Sequence, residues 1–202
     1  MLNEQKGNDG WVLLFDGQTL NGWATTGNPE GWIVDNGNIL CTANGGKYLY
    51  TLKQYENFVL SVDFKMDDSV NSGIFFRWSD LDDPVHTGIE IQILDSYGRE
   101  NLGSHDCGAI YDMVAPTHNV CKPIGQWNNM TVHCQNNMIT VEHNGEKITD
   151  MDMDQWSEPG INPDGTKNKF KYAWKDMPHK GHIGLQDHGG KIWFRHIKLK
   201  SL

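Results

Sequence analysis

Long apolar runs are missing from this 202-residue sequence. No stretch approaches the roughly 20 consecutive apolar residues that a membrane-spanning helix needs, so no span is expected. Basic residues are scarce: 17 Lys and Arg stand against 26 Asp and Glu, a formal charge of −9. A protein that neutralises phosphates needs a positive patch, so nucleic acid is not an expected partner. The locally basic end, Lys191 to Lys200, alternates its charges with apolar residues. That is the pattern of a strand edge rather than of an RNA-binding arm. The acidic run Asp150, Asp152 and Asp154 reads as a solvated loop. No signal peptide is visible. The polar start MLNEQKGNDG reads as a short tail or a leader-stripped start over residues 1–10, ahead of a single domain over 11–202, and it says little about export.

Cysteine is sparse too. Cys41, Cys107, Cys121 and Cys134 include no CxxC pair, so a zinc knuckle is not expected. Cys41 and Cys134 lie in apolar, strand-like surroundings and read as buried thiols. Cys107 and Cys121 flank one loop, where a disulfide and a pair of free thiols both remain open. The histidines show no HxH or HExxH spacing, so no metal site follows from spacing. GxSxG is absent, as is a phosphate-cradling glycine loop with its lysine. Serine nucleophile chemistry and nucleotide binding are therefore disfavoured.

Helical periodicity is scarce, and what is present everywhere is alternation. In NFVLSVDFKM, Leu60, Val62, Phe64 and Met66 share one face, and Ser61, Asp63 and Lys65 the other. NMTVHCQ sets Met130, Val132 and Cys134 against Thr131 and His133. Asn36-Gly37, Asn136-Asn137 and Asn144-Gly145 fall between such segments. Asn-Gly is a strong hairpin signal because both residues tolerate positive φ. Many short strands joined by tight turns predict an all-β sandwich or barrel. Two long strandless stretches, from Tyr97 to Trp127 and from Met151 to Lys180, are expected to be lids or binding loops.

Alternation also locates candidate site residues. In GIEIQILDS, Ile89, Ile91 and Ile93 face one way, and Glu90 and Gln92 the other. The preceding SGIFFRW splits into Ile74, Phe76 and Trp78 against Gly73, Phe75 and Arg77. Phe75, Arg77, Glu90 and Gln92 are then expected on one sheet surface. An aromatic plate with a cation, a carboxylate and an amide suits a sugar, whose hydroxyls want bidentate partners and whose C–H faces stack on rings. The plainer reading is an Arg77–Glu90 cross-strand ion pair, worth under about 1 kcal/mol when exposed. In KIWFRHIKLKSL, Arg195 falls on a face with Trp193, Ile197 and Leu199. A charge on an apolar face needs a partner, either a loop carboxylate or a ligand. GLQDHGG clusters Gln186, Asp187 and His188 before two glycines. A histidine there can serve as acid or base, and an ordinary turn capped by Asp187 explains the same residues.

Taken in order, WVLLFDGQTLNGW, GWIVDNGNIL, NFVLSVDFKM, NSGIFFR, GIEIQILD, GAIYDMVAP, KPIGQWNNMTV and GHIGLQDHGGKIWFRHIKL resemble the 3-keto-disaccharide hydrolase domain family, also called DUF1080. The likeness runs from Trp11 to Leu199. It implies a concanavalin-like jelly-roll sandwich of two antiparallel sheets with long loops. It implies a bacterial enzyme, periplasmic or extracellular, that cleaves glycosides carrying a ketone at C3. A C3 ketone acidifies the hydrogen on C2. A base removes it, the C1 substituent leaves by elimination, and water then adds across the double bond to give net hydrolysis. This differs from the two-carboxylate route of ordinary glycosidases.

The resemblance implies roles for the matching positions. Glu90 or His188 would carry the proton, and Arg77 and Lys122 would stabilise the enolate. Gln92, Asp95, Tyr111, Gln186, Asp187 and Arg195 would bind substrate, with Phe75, placed on the same face by alternation, as a further binding residue. No cofactor is expected, although Glu90 and His188 are conceivable ligands for a divalent metal. The expected partner is a glycoside or oligosaccharide. The alternative is a non-catalytic carbohydrate-binding module, since one fold hosts both. A plain glycosidase would need two carboxylates in one groove, and Glu90 and Asp95 sit an odd number of positions apart, facing opposite ways.

Overall fold

The computed structural model describes residues 9–202; the expected tail lies, through Asn8, outside them. In chain order the strands are β1 (Val12–Leu13), β2 (Trp23–Thr25), β3 (Trp32–Asp35), β4 (Asn38–Cys41), β5 (Tyr48–Thr51), β6 (Phe58–Met66), β7 (Asn71–Trp78), β8 (Ile89–Leu94), β9 (Trp127–Gln135), β10 (Met138–His143), β11 (Glu146–Asp152), β12 (His182–Gln186) and β13 (Ile192–Ser201). A single helical turn, α1 (Pro84–Thr87), precedes β8. The strands form two antiparallel sheets. One runs β11-β10-β9-β6-β13-β4-β3 with β1 added against β13, and the other runs β2-β5-β12-β7-β8. This is the all-β sandwich that the alternation predicts.

Alternation sets which side chains meet between the sheets. Phe58, Leu60, Val62, Phe64 and Met66 of β6 are all buried, and from β8 so are Ile89, Ile91 and Ile93. Each such side chain contributes about 1.5–3 kcal/mol by leaving water. Register is therefore firmly set, because a one-residue slip would turn every isoleucine of β8 outward. The hairpins use the expected residues. Asn36 and Gly37 have φ of 47° and 80°, and Asn144 and Gly145 have 51° and 86°, as mirror-image turns require.

Two bulges overturn the strict alternation and move two arginines. In β7 the register against β12 shifts between the pairs His182–Trp78 and Gly184–Phe75, and Arg77 takes a φ of 52°. The extra residue turns Arg77 inward, toward the opposite sheet. Trp78 comes to the outer face with Phe75, their rings 6.2 Å apart. In β13 the register against β6 shifts between Arg195 and Lys198, where His196 has a φ of 49°. Phe194, Ile197 and Leu199 are buried, so Arg195 shares the outer face with Trp193 and not with Ile197 and Leu199. A bulge inserts one residue, and every side chain beyond it changes face.

Two further expectations are corrected. The basic C-terminal strand is not an edge: β13 lies between β6 and β4, with its lysines on the outer face. Asp150 and Asp152 belong to β11 rather than to a loop. There they pair with Thr140 and Lys147, and with Asn137, respectively.

The two long connections are close to those expected, 95–126 and 153–181. The first lies along the free edge of β8. Gly108 N donates to Gln92 O at 2.9 Å, Gln92 N to Ala109 O at 3.0 Å and Tyr111 N to Glu90 O at 2.9 Å. Covering an edge strand in this way satisfies its open backbone groups, and it holds Tyr111 beside Glu90. Cys107 and Cys121 are free and buried, with their thiols hydrogen-bonded neighbours.

Candidate functional site

The outer face of the five-stranded sheet carries a cleft of about 160 Å³. Strands place Tyr48 (β5), Asn71 (β7), Glu90 and Gln92 (β8) and Gln186 (β12) on its floor and walls. The connections add Val85, Tyr111, Lys169 and His188. The volume is below the range of about 300–1,000 Å³ for drug-sized ligands.

Glu90 stands opposite Phe75 and beside Gly73, which pairs with Gln92. A Cβ at Gly73 would overlap the Glu90 carboxylate, so the glycine creates the space in which that carboxylate lies. The surrounding protein takes water away from Glu90, and this desolvation lifts its pKa from 4.5 to about 7, with the charge of Lys169 acting the other way. Burial of a carboxyl disfavours its ionised form. Tyr48 and Tyr111 are both pushed above the ordinary phenol value, first by desolvation and then by the charge of Glu90. Both phenols stay protonated at neutral pH and are available as donors.

The amides around this carboxylate are held in place. Gln92 Nε2 donates to Asn71 Oδ1 at 2.9 Å and faces the carbonyls of Ser72 and Ile93 at 3.3 and 3.2 Å. Gln186 Nε2 donates to the Tyr48 hydroxyl at 3.4 Å, while its Oε1 is buried without a partner. An acceptor left unpaired in a polar cleft can take a hydroxyl hydrogen from a ligand. Lys169 Nζ lies 4.0 Å from the centre of the Tyr111 ring, and its backbone N–H donates to Asp112 Oδ2 at 2.8 Å. The other face of this corner is His105, 4.6 Å from Tyr111 ring to ring and 2.9 Å from Asp112 Oδ1.

Of the residues singled out in the sequence, Glu90, Gln92, Tyr111, Gln186 and His188 meet in this cleft. Phe75 is beneath it, buried and covered by Tyr48 at 5.1 Å between rings, so it supports the floor without offering a free plate. Asp187 lies in the turn. Its carboxylate accepts from Gly46 N at 2.7 Å and from Gly189 N at 2.9 Å, which shapes the segment that presents His188. Asp95 accepts from Tyr97 N at 3.2 Å in a turn and does not line the cleft.

The three cations expected at the site are elsewhere. Arg77 is buried between the sheets and donates to Asn136 O at 2.6 Å and Met153 Sδ at 2.9 Å. The bulge at this residue is the reason. Lys122 is exposed ahead of β9, in the other sheet, with Nζ donating to Trp127 O at 3.0 Å. Arg195 stacks over Trp127 at 3.8 Å and lies 3.5 Å from Asp63, on the outer face of the eight-stranded sheet. The cation that does line the cleft, Lys169, was not singled out, and neither were Tyr48, Asn71 or Val85. Tyr48 alternates with Leu49 in KYLYT and was open to the same face analysis as Glu90. Lys169 sits in NKFKYAW, which carries no periodicity to mark it. Among the described residues, Glu90 and His188 gather no third carboxylate, imidazole or thiol around them. The three-donor group that does form is Cys107, Cys121 and His143.

Residues 10–200 match the 3-keto-alpha-glucoside-1,2-lyase-like domain family. The chain belongs to this family. A Bacteroides thetaiotaomicron protein named 3-keto-disaccharide hydrolase is 27% identical over 231 residues, covering 96% of this chain and 79% of that protein. A Parabacteroides distasonis crystal structure, provisionally described as a glycosyl hydrolase, superposes with a TM-score of 0.86 at 36% identity, over 95% of this chain and 99% of that one. A Bacillus subtilis protein of unknown function with a galectin-like fold superposes with a TM-score of 0.57 at 10% identity, over 98% and 94% of the two chains. That last likeness concerns the fold alone, and it agrees with a concanavalin-like sandwich. The family resemblance read from the ordered motifs is thereby established, and a glycosidase of the hydrolase type is what family and relative together support.

Proposed function

We propose that this chain cleaves 3-keto-glycosides, with Glu90 as the base that removes the C2 proton. The observation that carries the reading is the carboxyl of Glu90, lifted to about 7 by desolvation in a cleft it shares with Lys169, Tyr111, Tyr48 and His188. A base works best when its pKa is near the working pH. The C2–H electron pair moves into the C2–C3 bond, and the C3 carbonyl oxygen becomes an enolate. Lys169 and Tyr111 stabilise that oxygen in place of Arg77 and Lys122. The enolate then expels the C1 oxygen, which takes a proton from His188 or Tyr48. The product is a 1,2-unsaturated 3-ketone. Water adding at C1, with a proton returned to C2, yields the free 3-keto sugar. Gln92 and Gln186 orient hydroxyls, the latter through its unpaired Oε1.

The same reading places the protein in the bacterial periplasm or outside the cell, beside an enzyme that oxidises C3. The test compares a 3-keto-glucoside with its unoxidised parent in D2O. Turnover of the keto sugar with deuterium at C2, and none of the parent, is expected. Equal cleavage of both would discard elimination, and binding without turnover would favour a carbohydrate-binding module.

A further inference from the structure

Away from the cleft, the fold brings together three side chains that the sequence separates. The donor atoms of Cys107, Cys121 and His143 all lie within 4.8 Å of one another, and the three residues are 4%, 6% and 1% exposed. A point shared by three atoms with that spacing is at most about 2.8 Å from each. Zinc–sulfur and zinc–nitrogen bonds are about 2.3 and 2.0–2.1 Å, so small rotamer shifts suffice.

The imidazole is also set up for such a role. His143 Nε2 is 3.1 Å from Asn128 Oδ1. That atom accepts from the Lys122 backbone N–H and from Asn144 Nδ2, each at 2.9 Å, which identifies it as the amide oxygen. An amide oxygen only accepts, so Nε2 carries the ring proton and Nδ1 keeps its lone pair. Nδ1 is 3.9 Å from where a Cβ on Gly108, the chain neighbour of Cys107, would stand. Orientation of a histidine through its second nitrogen is the usual support for a metal ligand.

We propose that Cys107, Cys121 and His143 bind one thiophilic d10 cation, Zn2+ or Cu+. Two thiolates and a neutral imidazole are the donors such ions select. Binding forms two metal–sulfur bonds and one metal–nitrogen bond and releases the two thiol protons. Zn2+ leaves the buried site neutral, whereas Cu+ leaves one negative charge. The ion clips the middle of connection 95–126, through Cys107 four residues ahead of Tyr111, to its later part at Cys121 and to the end of β10, and so braces one wall of the cleft from behind.

The experiment uses the full chain, purified with reductant and without chelator. Elemental analysis is expected to find about one equivalent of zinc or copper per chain, since a folded thiolate site retains its metal through dialysis; which element is found separates the two ions. Co2+ replacing Zn2+ should give thiolate-to-cobalt charge-transfer absorption, a readout that needs no variant. Cys121→Ser and His143→Gln should each weaken retention at least tenfold, while Glu90→Gln retains the ion. A folded, reduced chain that takes up neither ion would overturn the proposal. So would an intact mass lower by two hydrogens with no metal bound, the mark of a Cys107–Cys121 disulfide.

Discussion

The ammonium of Lys169 lies 4.0 Å from the centre of the Tyr111 ring, and both groups feel the charge of Glu90. A cation on an aromatic face is restrained without being neutralised. Lys169 is thus held at the cleft although it comes from a long connection. Its removal should cost turnover more than stability. For Lys169→Met, kcat is expected to fall roughly 10–100-fold, less than the about 10²–10³ of a fully enclosed donor, because this lysine is exposed. The melting temperature should hardly move. Loss of the cation also lets the Glu90 pKa rise further, so the rising limb of the pH–rate profile should shift to higher pH. A profile that stays in place would separate Lys169 from Glu90.

Glu90 gives the sharpest activity prediction. A base must be ionised, so kcat/KM on a 3-keto-glucoside should climb with pH and level off above about 7. Glu90→Gln keeps the shape and removes the base. A loss of about 10²–10⁴ in kcat is expected, with KM little changed. Steady-state rates at pH 5 to 9 check both statements, and a variant with more than a tenth of the wild-type rate would remove Glu90 from the base role.

These two residues also show how far the sequence could be read. Glu90 was legible because β8 is regular: isoleucine at every second position fixes both its register and its faces. Arg77 and Arg195 were misassigned for one shared reason. Each lies beside a bulge, at Arg77 itself and at His196 next to Arg195, and nothing in FFRW or FRHI announces a residue with positive φ. Alternation is a local rule, whereas a bulge is imposed by pairing with a distant strand, here β12 for β7 and β6 for β13. Lys169, and the meeting of Cys107, Cys121 and His143, depend on the path of long connections. That path is set by the sandwich as a whole and leaves no periodic trace.

Arg77 should behave as a structural residue. It is desolvated, which holds its pKa below the usual guanidinium value although the charge of Glu56 acts the other way, and it donates to Asn136 O and Met153 Sδ. Arg77→Met removes the hydrogen bond to the carbonyl of Asn136, in the exposed β9–β10 turn, a loss of about 0.5–1.5 kcal/mol. Denaturant titration should show that loss. The folded fraction should keep kcat within about twofold, since Arg77 does not line the cleft. A large fall in kcat at unchanged stability would return Arg77 to the site.

The carboxyl of Glu90 couples the cleft to stability with a definite sign. Its folded pKa is raised from 4.5 to about 7, so between those values the folded chain binds more protons than the unfolded one. Stability therefore falls as pH rises through this window, and the deficit is complete above pH 7. Ionising the buried carboxyl costs about 3 kcal/mol more than ionising it in the unfolded chain. Glu90→Gln is neutral at every pH and escapes that cost. The variant should be more stable than the parent by about 1–3 kcal/mol at pH 8, and the difference should vanish near pH 4. Thermal melts of both proteins at pH 4, 6 and 8 decide it. If the two curves run parallel across this range, the carboxylate of Glu90 is solvated in the folded protein, and the desolvated base on which the proposed reaction depends does not exist.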